Sequence, residues 1–274
     1  MRVTRRGFLL GCVGLGVAAT PAAWYSGIYE PNDIEVVRRR IAIPKLPSRL
    51  NGMSAVQISD LHLKGASDLH ARMVEEVRRL KPDVILFTGD LIDDQSALGD
   101  AADIFRSWQP PAGIWAVPGN WDHTATNDSL DILTSGLESA KVRFLINQSA
   151  QLDGGLWIAG VDDPSSSFED VEAAVEGIPA GAPRILLAHS PDIVNSVDKR
   201  TFGLILAGHT HGGQVNLPFF NGAWLKDGAS HEYVQGLYDV HGSPLYVNRG
   251  IGTTTLPIRI GARPEITYFE FRAA

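Results

Sequence analysis

The chain has 274 residues, of which 44% are hydrophobic and 20% are charged, so it can bury a sizeable core. This composition excludes a disordered tail, a coiled coil and a disulfide-stabilised miniprotein. The net charge of −7 provides no basic field, and we expect no binding to nucleic-acid duplexes. Cys12 is the single cysteine, which excludes an internal disulfide and leaves His, Asp, Asn and Glu as metal ligands.

The N-terminus has the pattern of a targeting segment. Arg5 and Arg6 precede an apolar, uncharged run that reaches Tyr25. The paired arginines predict export by the twin-arginine machinery, to the periplasm or another extracytoplasmic location. The alternative is an ordinary membrane anchor, because residues 8–25 are just long enough to span a bilayer if the small-residue site at 20–22 is not cleaved.

We assign residues 1–30 to this signal or anchor and residues 34–272 to one folded domain. Five apolar runs of strand length recur within the domain. Since they are almost continuously apolar, they predict strands buried on both faces. These runs are residues 55–58, 84–87, 114–117, 185–188 and 204–207.

Helical spacing appears between the strands. Leu69, Met73, Val77 and Leu80 share one face of a helix that Ser67 or Asp68 begins and Pro82 ends. Two further helices are predicted, one by Leu130, Leu133 and Leu137 and one by Phe168, Val171 and Val175. Strands that alternate with helices indicate an α/β fold.

The C-terminal part has a different pattern. Residues 245–247 and 266–271 have strand character, with no helix between them. We therefore expect a second sheet, packed against the first.

Polar side chains follow each of the five predicted strands. Ligands of open α/β sheets bind at the carboxyl ends of the strands, so we expect these side chains at one edge. Carboxylate, amide and imidazole groups together suit a pair of divalent transition metals, although each short motif alone is also a common turn. The side chains are Asp60, His62, Asp90, Asn120, His189, His209 and His211.

The ordered series Asp60-x-His62, Gly89-Asp90, Gly119-Asn120, His189 and Gly208-His209-x-His211 resembles the calcineurin-like metallophosphoesterase superfamily. The segments 248–252, 257–259 and 263–266 are similar to its YaeI/YkuE-type branch of exported phosphoesterases. The resemblance covers nearly all of the domain 34–272. It implies a four-layer α-β-β-α sandwich, in which helices flank two mixed β-sheets.

The resemblance also implies two divalent ions, Mn, Fe or Zn, with a bridging hydroxide that attacks phosphorus. Asp90 is expected to bridge the ions, and their remaining ligands divide into two sets. One set is Asp60, His62 and His211; the other is Asn120, His189 and His209.

The sequence departs from the superfamily pattern at Trp121, where a histidine is usual. Indole has no titratable proton near neutrality, so Trp121 is a candidate for substrate binding rather than for acid catalysis. Asp122 and His123 are candidate catalytic residues, the alternative for His123 being a solvated loop histidine. Arg249 is a candidate phosphate contact or a structural ion pair.

We expect a phosphoesterase acting on phosphodiester, pyrophosphate or monoester bonds of the cell envelope. A substrate such as UDP-2,3-diacylglucosamine fits the branch, but it is cytoplasmic and agrees poorly with export. The alternatives are an exported nucleotidase or cyclic-nucleotide phosphodiesterase, and a metal-binding scaffold weakened by Trp121. No obligate protein partner is evident.

Overall fold

The computed structural model describes residues 21, 23–197, 202–217, 220–221 and 228–274. The structure contains two six-stranded sheets. In the first, an N-terminal strand lies at one edge and the long C-terminal strand lies next to it. The spatial order of this sheet is β1 (Glu35–Ile43), β14 (Glu265–Ala273), β2 (Ser54–Ile58), β3 (Val84–Thr88), β4 (Ile114–Val117) and β5 (Val142–Phe144). Strands β2 to β5 are parallel, and β14 is antiparallel to β2.

The second sheet has a parallel centre and antiparallel edges. Its spatial order is β12 (Gly236–Val240), β13 (Ser243–Val247), β9 (Leu204–Ala207), β8 (Arg184–Leu187), β7 (Trp157–Gly160) and β6 (Gln148–Gln151). A small separate ribbon pairs β10 (Asn216–Leu217) with β11 (Phe220–Asn221).

Beyond residue 30, the described part of the chain contains five α-helices. They are α1 (Asp68–Leu80), α2 (Leu98–Arg106), α3 (Asn120–Thr126), α4 (Leu130–Glu138) and α5 (Val171–Val175). Helix α1 confirms the predicted boundaries: His70 Nδ1 accepts the Ser67 N–H at 3.2 Å, and Lys81 turns left-handed (φ 47°) before Pro82.

Successive side chains along each strand point to opposite faces of the sheet, so each strand contributes to two layers of the core. Leu86 of β3 and Leu187 of β8 face the core between the two sheets. Phe87 faces the helices that cover the first sheet, and Leu186 faces those that cover the second. Because both faces of the central strands are covered, these strands are mostly apolar, and Gln57 of β2 is a buried exception. The fold is the predicted four-layer α-β-β-α sandwich with two mixed sheets.

The division of strands between the sheets differs from the expectation. The five predicted strands are β2, β3, β4, β8 and β9, and they belong to both sheets. The two C-terminal runs do not form a sheet of their own, because β13 extends the second sheet and β14 inserts into the first. Phe168 lies outside α5. Asp170 caps the start of this helix, because its carboxylate accepts the Ala173 N–H at 2.9 Å.

The N-terminal expectation concerns residues that lie mostly outside the described ranges. The described chain already contacts the domain at Ser26, whose carbonyl accepts the Arg259 N–H at 2.9 Å. Glu30 is buried, and its Oε1 accepts the Ala262 N–H at 2.8 Å. The folded body therefore begins before residue 34, within the predicted 1–30 segment. In the ranges described, no helix combines the length and apolar character needed to cross a bilayer.

Candidate metal centre

Seven polar side chains come together at the carboxyl ends of five parallel strands. The strands belong to different sheets, but their ends meet at the same edge of the sandwich. Asp60 and His62 follow β2, Asp90 follows β3, Asn120 follows β4, His189 follows β8, and His209 and His211 follow β9.

The backbone of these loops is unusual. Five of the seven residues have left-handed φ angles between 49° and 68°, namely Asp60, His62, Asp90, His209 and His211. This conformation is disfavoured for residues with a Cβ, and such strain concentrates at functional sites. It turns successive side chains back towards a common centre.

The first group of candidate ligands is Asp60, His62 and His211, whose nitrogen and oxygen ligand atoms all lie within 4.8 Å of one another. The Nε2 atoms of His62 and His211 are 3.0 Å apart, and His211 Nε2 is 3.4 Å from Asp60 Oδ1. All three residues are buried. Nitrogen and oxygen donors thus converge on one buried point.

The second group is Asp90, His189 and His209, again within 4.8 Å. His209 Nδ1 lies 3.1 Å from His189 Nε2 and 3.1 Å from Asn120 Oδ1. Asn120 therefore joins this group through its amide oxygen.

Asp90 lies between the two groups. Its Oδ2 is 3.2 Å from His189 Nε2 and 3.5 Å from His62 Nε2. Its Oδ1 accepts the backbone N–H of Trp121 at 2.9 Å, which fixes the orientation of the carboxylate. One carboxylate oxygen thus contacts both sets of ligands.

Burial and neighbouring charges both shift the pKa values of the ionisable groups at the centre. Burial raises the pKa of Asp60. Burial would also raise the pKa of Asp90, but His189, His62 and His209 hold that pKa below its usual range. Burial opposes a charged imidazole at His189, yet contact with Asp90 raises its pKa to about 10. Two buried carboxylates in one centre are stabilised by positive charge beside them, which divalent ions would supply.

Two of the histidines are oriented by hydrogen bonds at Nδ1. His62 Nδ1 lies 2.7 Å from Asp93 Oδ1, and His189 Nδ1 lies 2.8 Å from the carbonyl oxygen of Thr88. An acceptor at Nδ1 keeps the proton on that nitrogen and leaves Nε2 free to bind a metal. Sequence reasoning missed Asp93, although a carboxylate three residues after Asp90 was a usable signal.

Two glycines make room for the ligands. Gly89 has a φ of +86°, and a Cβ there would lie 2.5 Å from His189 Nδ1. Gly250 has a φ of +68°, and a Cβ there would lie 2.6 Å from the Cβ of Asp60. The C-terminal loop thus packs directly against the centre.

Trp121 is half-buried at the edge of the centre. Its ring meets that of His62 edge to face, with centroids 5.6 Å apart. Trp121 thus packs against a candidate metal ligand, and its contact with substrate stays a prediction.

Asp122, a candidate catalytic residue, contacts backbone groups. Its carboxylate is fully buried and accepts three backbone N–H groups, those of Leu91, Ile92 and Gly119, at 2.9 to 3.1 Å. These contacts tie the loop after β3 to the loop after β4. The geometry argues against a catalytic role and makes Asp122 a positioning residue.

His123 is not a solvated loop histidine. It is buried, its Nε2 lies 2.7 Å from Asp162 Oδ1, and its ring is 4.9 Å from that of Phe168. Within the described ranges, its polar contacts join it to Asp162 and Asp128 rather than to the seven ligands. A direct catalytic role for His123 therefore gains no support from its position.

Arg249 forms the structural ion pairs that were the alternative to a phosphate contact. Its Nε donates to Glu265 at 2.6 Å, and one terminal nitrogen donates to Glu35 at 2.7 Å.

Arg259 was not singled out by its position in the sequence. It is fully buried, and its guanidinium donates to the carbonyls of residues 249, 250, 252 and 262. One terminal nitrogen lies 3.4 Å from His211 Nδ1. Arg259 thus holds the C-terminal loop against the first group of ligands.

The fold and these ligands define a phosphate-ester hydrolase with two candidate groups for divalent metals. The profile of the calcineurin-like phosphoesterase family matches residues 53–213, more than half of the chain, and this range contains all seven ligands. The chain therefore belongs to the calcineurin-like phosphoesterase family, whose members hydrolyse phosphate esters with divalent metal ions.

Several relatives match over almost the whole chain. The uncharacterized metallophosphoesterase YkuE of Bacillus subtilis is 32% identical over 285 residues, covering 99% of both chains. Phosphodiesterase YaeI of Escherichia coli is 29% identical, covering 98% of this chain and 99% of its own. UDP-2,3-diacylglucosamine pyrophosphatase LpxG of Chlamydia trachomatis is 28% identical, covering 91% of this chain and 93% of its own.

Proposed function

We propose that the chain is a dinuclear phosphoesterase that cleaves phosphodiester or pyrophosphate bonds. Asp60, His62 and His211 hold one ion, and Asn120, His189 and His209 hold the other. Asp90 is shared by both. The observation that carries this assignment is the position of Asp90 Oδ2, within 3.5 Å of an imidazole nitrogen from each group.

The donor set fits divalent transition metals because it combines imidazole, carboxylate and amide groups. The ligand type is compatible with Mn, Fe and Zn. Two such ions, when bound, activate water near neutral pH and neutralise charge on the phosphoryl oxygens. The chain itself supplies a rigid frame: Asp93 and Thr88 fix the imidazoles, and the Trp121 backbone fixes Asp90.

Trp121 favours a particular kind of leaving group. Its indole N–H cannot protonate a departing oxygen, and the nearest histidine along the chain, His123, is paired with Asp162. Leaving groups that are stable as anions need no proton, whereas alkoxides do. We therefore propose pyrophosphates and activated diesters as substrates.

One relative is named a UDP-2,3-diacylglucosamine pyrophosphatase, which agrees with this preference, and another is named a phosphodiesterase. We propose a substrate of the cell envelope that carries such a bond. An exported chain meets the outer face of the cytoplasmic membrane, and Arg5 and Arg6 support that location. The double replacement Arg5→Lys and Arg6→Lys keeps the charge and should still block twin-arginine export. Normal export of this variant would overturn the proposed route.

The function is tested by hydrolysis of bis(4-nitrophenyl) phosphate with added Mn²⁺. The wild-type protein should turn over only with metal, and Asp90→Asn should remove the activity. Asp94→Asn changes an exposed carboxylate four residues away and should leave the activity unchanged. A folded wild-type protein that binds two ions without hydrolysing this ester would instead support the metal-binding scaffold.

A further inference from the structure

An exposed aromatic patch, defined here as Trp24, Tyr25, Ile28 and Tyr29, lies at the start of the described domain. These side chains are 46% to 58% exposed. They make up four of the eight strongly exposed large hydrophobic residues in the described ranges. The ring of Tyr29 stacks with those of Trp24 and Tyr25, with centroids 5.7 and 5.5 Å away. The three rings, with Ile28 in the same short segment, thus form an apolar patch rather than scattered residues.

The patch is fixed to the folded body. The Ser26 carbonyl accepts the Arg259 N–H at 2.9 Å, in the middle of the patch segment. Directly after it, Glu30 is buried and accepts the Ala262 N–H at 2.8 Å, and Asn32 Oδ1 accepts a hydrogen bond from Arg72 at 2.9 Å. The domain therefore presents these rings to its surroundings in a defined orientation.

The residue types indicate what covers the patch. Tryptophan and tyrosine combine an apolar ring with one polar atom, and they are enriched where a membrane meets water. The sequence around the patch agrees, because no charged residue occurs between Arg6 and Glu30. The patch forms the C-terminal end of this uncharged run, where aromatic residues anchor membrane segments. We propose that the aromatic patch lies in the interfacial region of a lipid bilayer.

This surface is connected to the metal centre. Arg259, which contacts Ser26 through its backbone, donates from its side chain to the carbonyls of Arg249, Gly250 and Gly252. Gly250 packs against Asp60. Docking at the patch thus anchors the loop that packs against the centre, which suits a substrate that carries its phosphate at the membrane surface. That consequence rests on the proposed function, whereas the docking itself does not.

The test places a fluorescent label on the patch of the full chain. Cys12→Ser removes the single native thiol, and Ile28→Cys then carries an environment-sensitive fluorophore. The matched control is Leu237→Cys on β12 of the second sheet, an apolar residue whose exposure is similar to that of Ile28 (50% against 58%). Both proteins are mixed with vesicles of phosphatidylcholine and phosphatidylglycerol, some containing lipids with a nitroxide near the headgroup.

Emission from position 28 should shift to shorter wavelength, lose its quenching by aqueous iodide and become quenched by the nitroxide lipid. Emission from position 237 should not change. Equal iodide quenching at both positions, on protein that floats with the vesicles, would overturn the proposal. Shielding of position 28 that depends on protein concentration and needs no vesicles would also overturn it, because the occupant would be a second copy of the chain. Neither readout requires catalysis, so the proposed function can fail separately.

Discussion

Asp93→Ala should weaken binding of one metal ion without removing any ligand. Asp93 Oδ1 is 2.7 Å from His62 Nδ1, and its other carboxylate oxygen is 3.1 Å from Lys64. Burial would lower the pKa of His62, but the hydrogen bond to Asp93 raises it, so the carboxylate increases the basicity of the imidazole. The Lys64 side chain is 76% exposed, and losing its ion pair should matter little.

The expected magnitude follows from the role of Asp93 behind a ligand. Removing the partner of a metal-binding histidine typically costs about 10- to 100-fold in metal affinity. This corresponds to about 1.4 to 2.7 kcal/mol. Asp93→Asn keeps an acceptor oxygen but loses the charge, so its loss should be smaller.

Competition between the protein and a fluorescent chelator for Mn²⁺ measures both binding steps. The step assigned to Asp60, His62 and His211 should weaken in Asp93→Ala, and the other should stay close to wild type. Asp94→Asn, an exposed neighbour, is the control. Wild-type affinity for both ions in a folded Asp93→Ala protein would refute the idea that this carboxylate orients His62.

Three further predictions concern the residues that follow Asn120. Asp122→Ala leaves three buried N–H groups without an acceptor. Each unpaired group costs about 1 kcal/mol or more, so the free energy of unfolding should fall by about 3 kcal/mol. A loss below about 1 kcal/mol in urea denaturation would contradict this prediction. Burial would lower the pKa of His123, but the hydrogen bond to Asp162 raises it. The pair therefore contributes its full stabilisation below pH about 6.5, the pKa of an unfolded histidine. That contribution is lost as the pH rises through the pKa of His123 in the folded protein. Asp162→Asn should therefore destabilise the protein in acid and progressively less at higher pH, and parallel pH–stability curves would disprove the pairing. Trp121→His should raise the hydrolysis of alkyl esters much more than that of aryl esters, since only alkoxides need a proton; equal gains for both would show that the leaving group is not the limitation.

The clustering of the seven candidate ligands was predictable from the sequence because each follows a buried strand, and parallel strands bring their carboxyl ends to one edge. The assignment of strands to sheets was not predictable. Leu86 and Leu187 are equally apolar and both face the central core, although they belong to different sheets. Burial on two faces removes the alternation that would distinguish one sheet from the other.

The surroundings of the ligands were harder to predict than the ligands. Asp93 reaches His62 only because the chain turns left-handed at Asp90 and at His62 itself. His123 is in the loop motif, yet helix α3 directs it to Asp162, far along the chain. Arg259 acts on carbonyls of its own loop, and no local pattern reveals that this loop folds back onto Asp60.

The central claim is that Asp90 is shared by two ions, and metal content tests it most directly. Wild type, Asp90→Asn and Asn120→Ala are loaded with Mn²⁺, desalted and analysed by elemental mass spectrometry beside circular dichroism to verify folding. The account predicts two ions per wild-type chain, depletion of both in Asp90→Asn, and loss of mainly one in Asn120→Ala. A folded Asp90→Asn protein that retains both ions would contradict it.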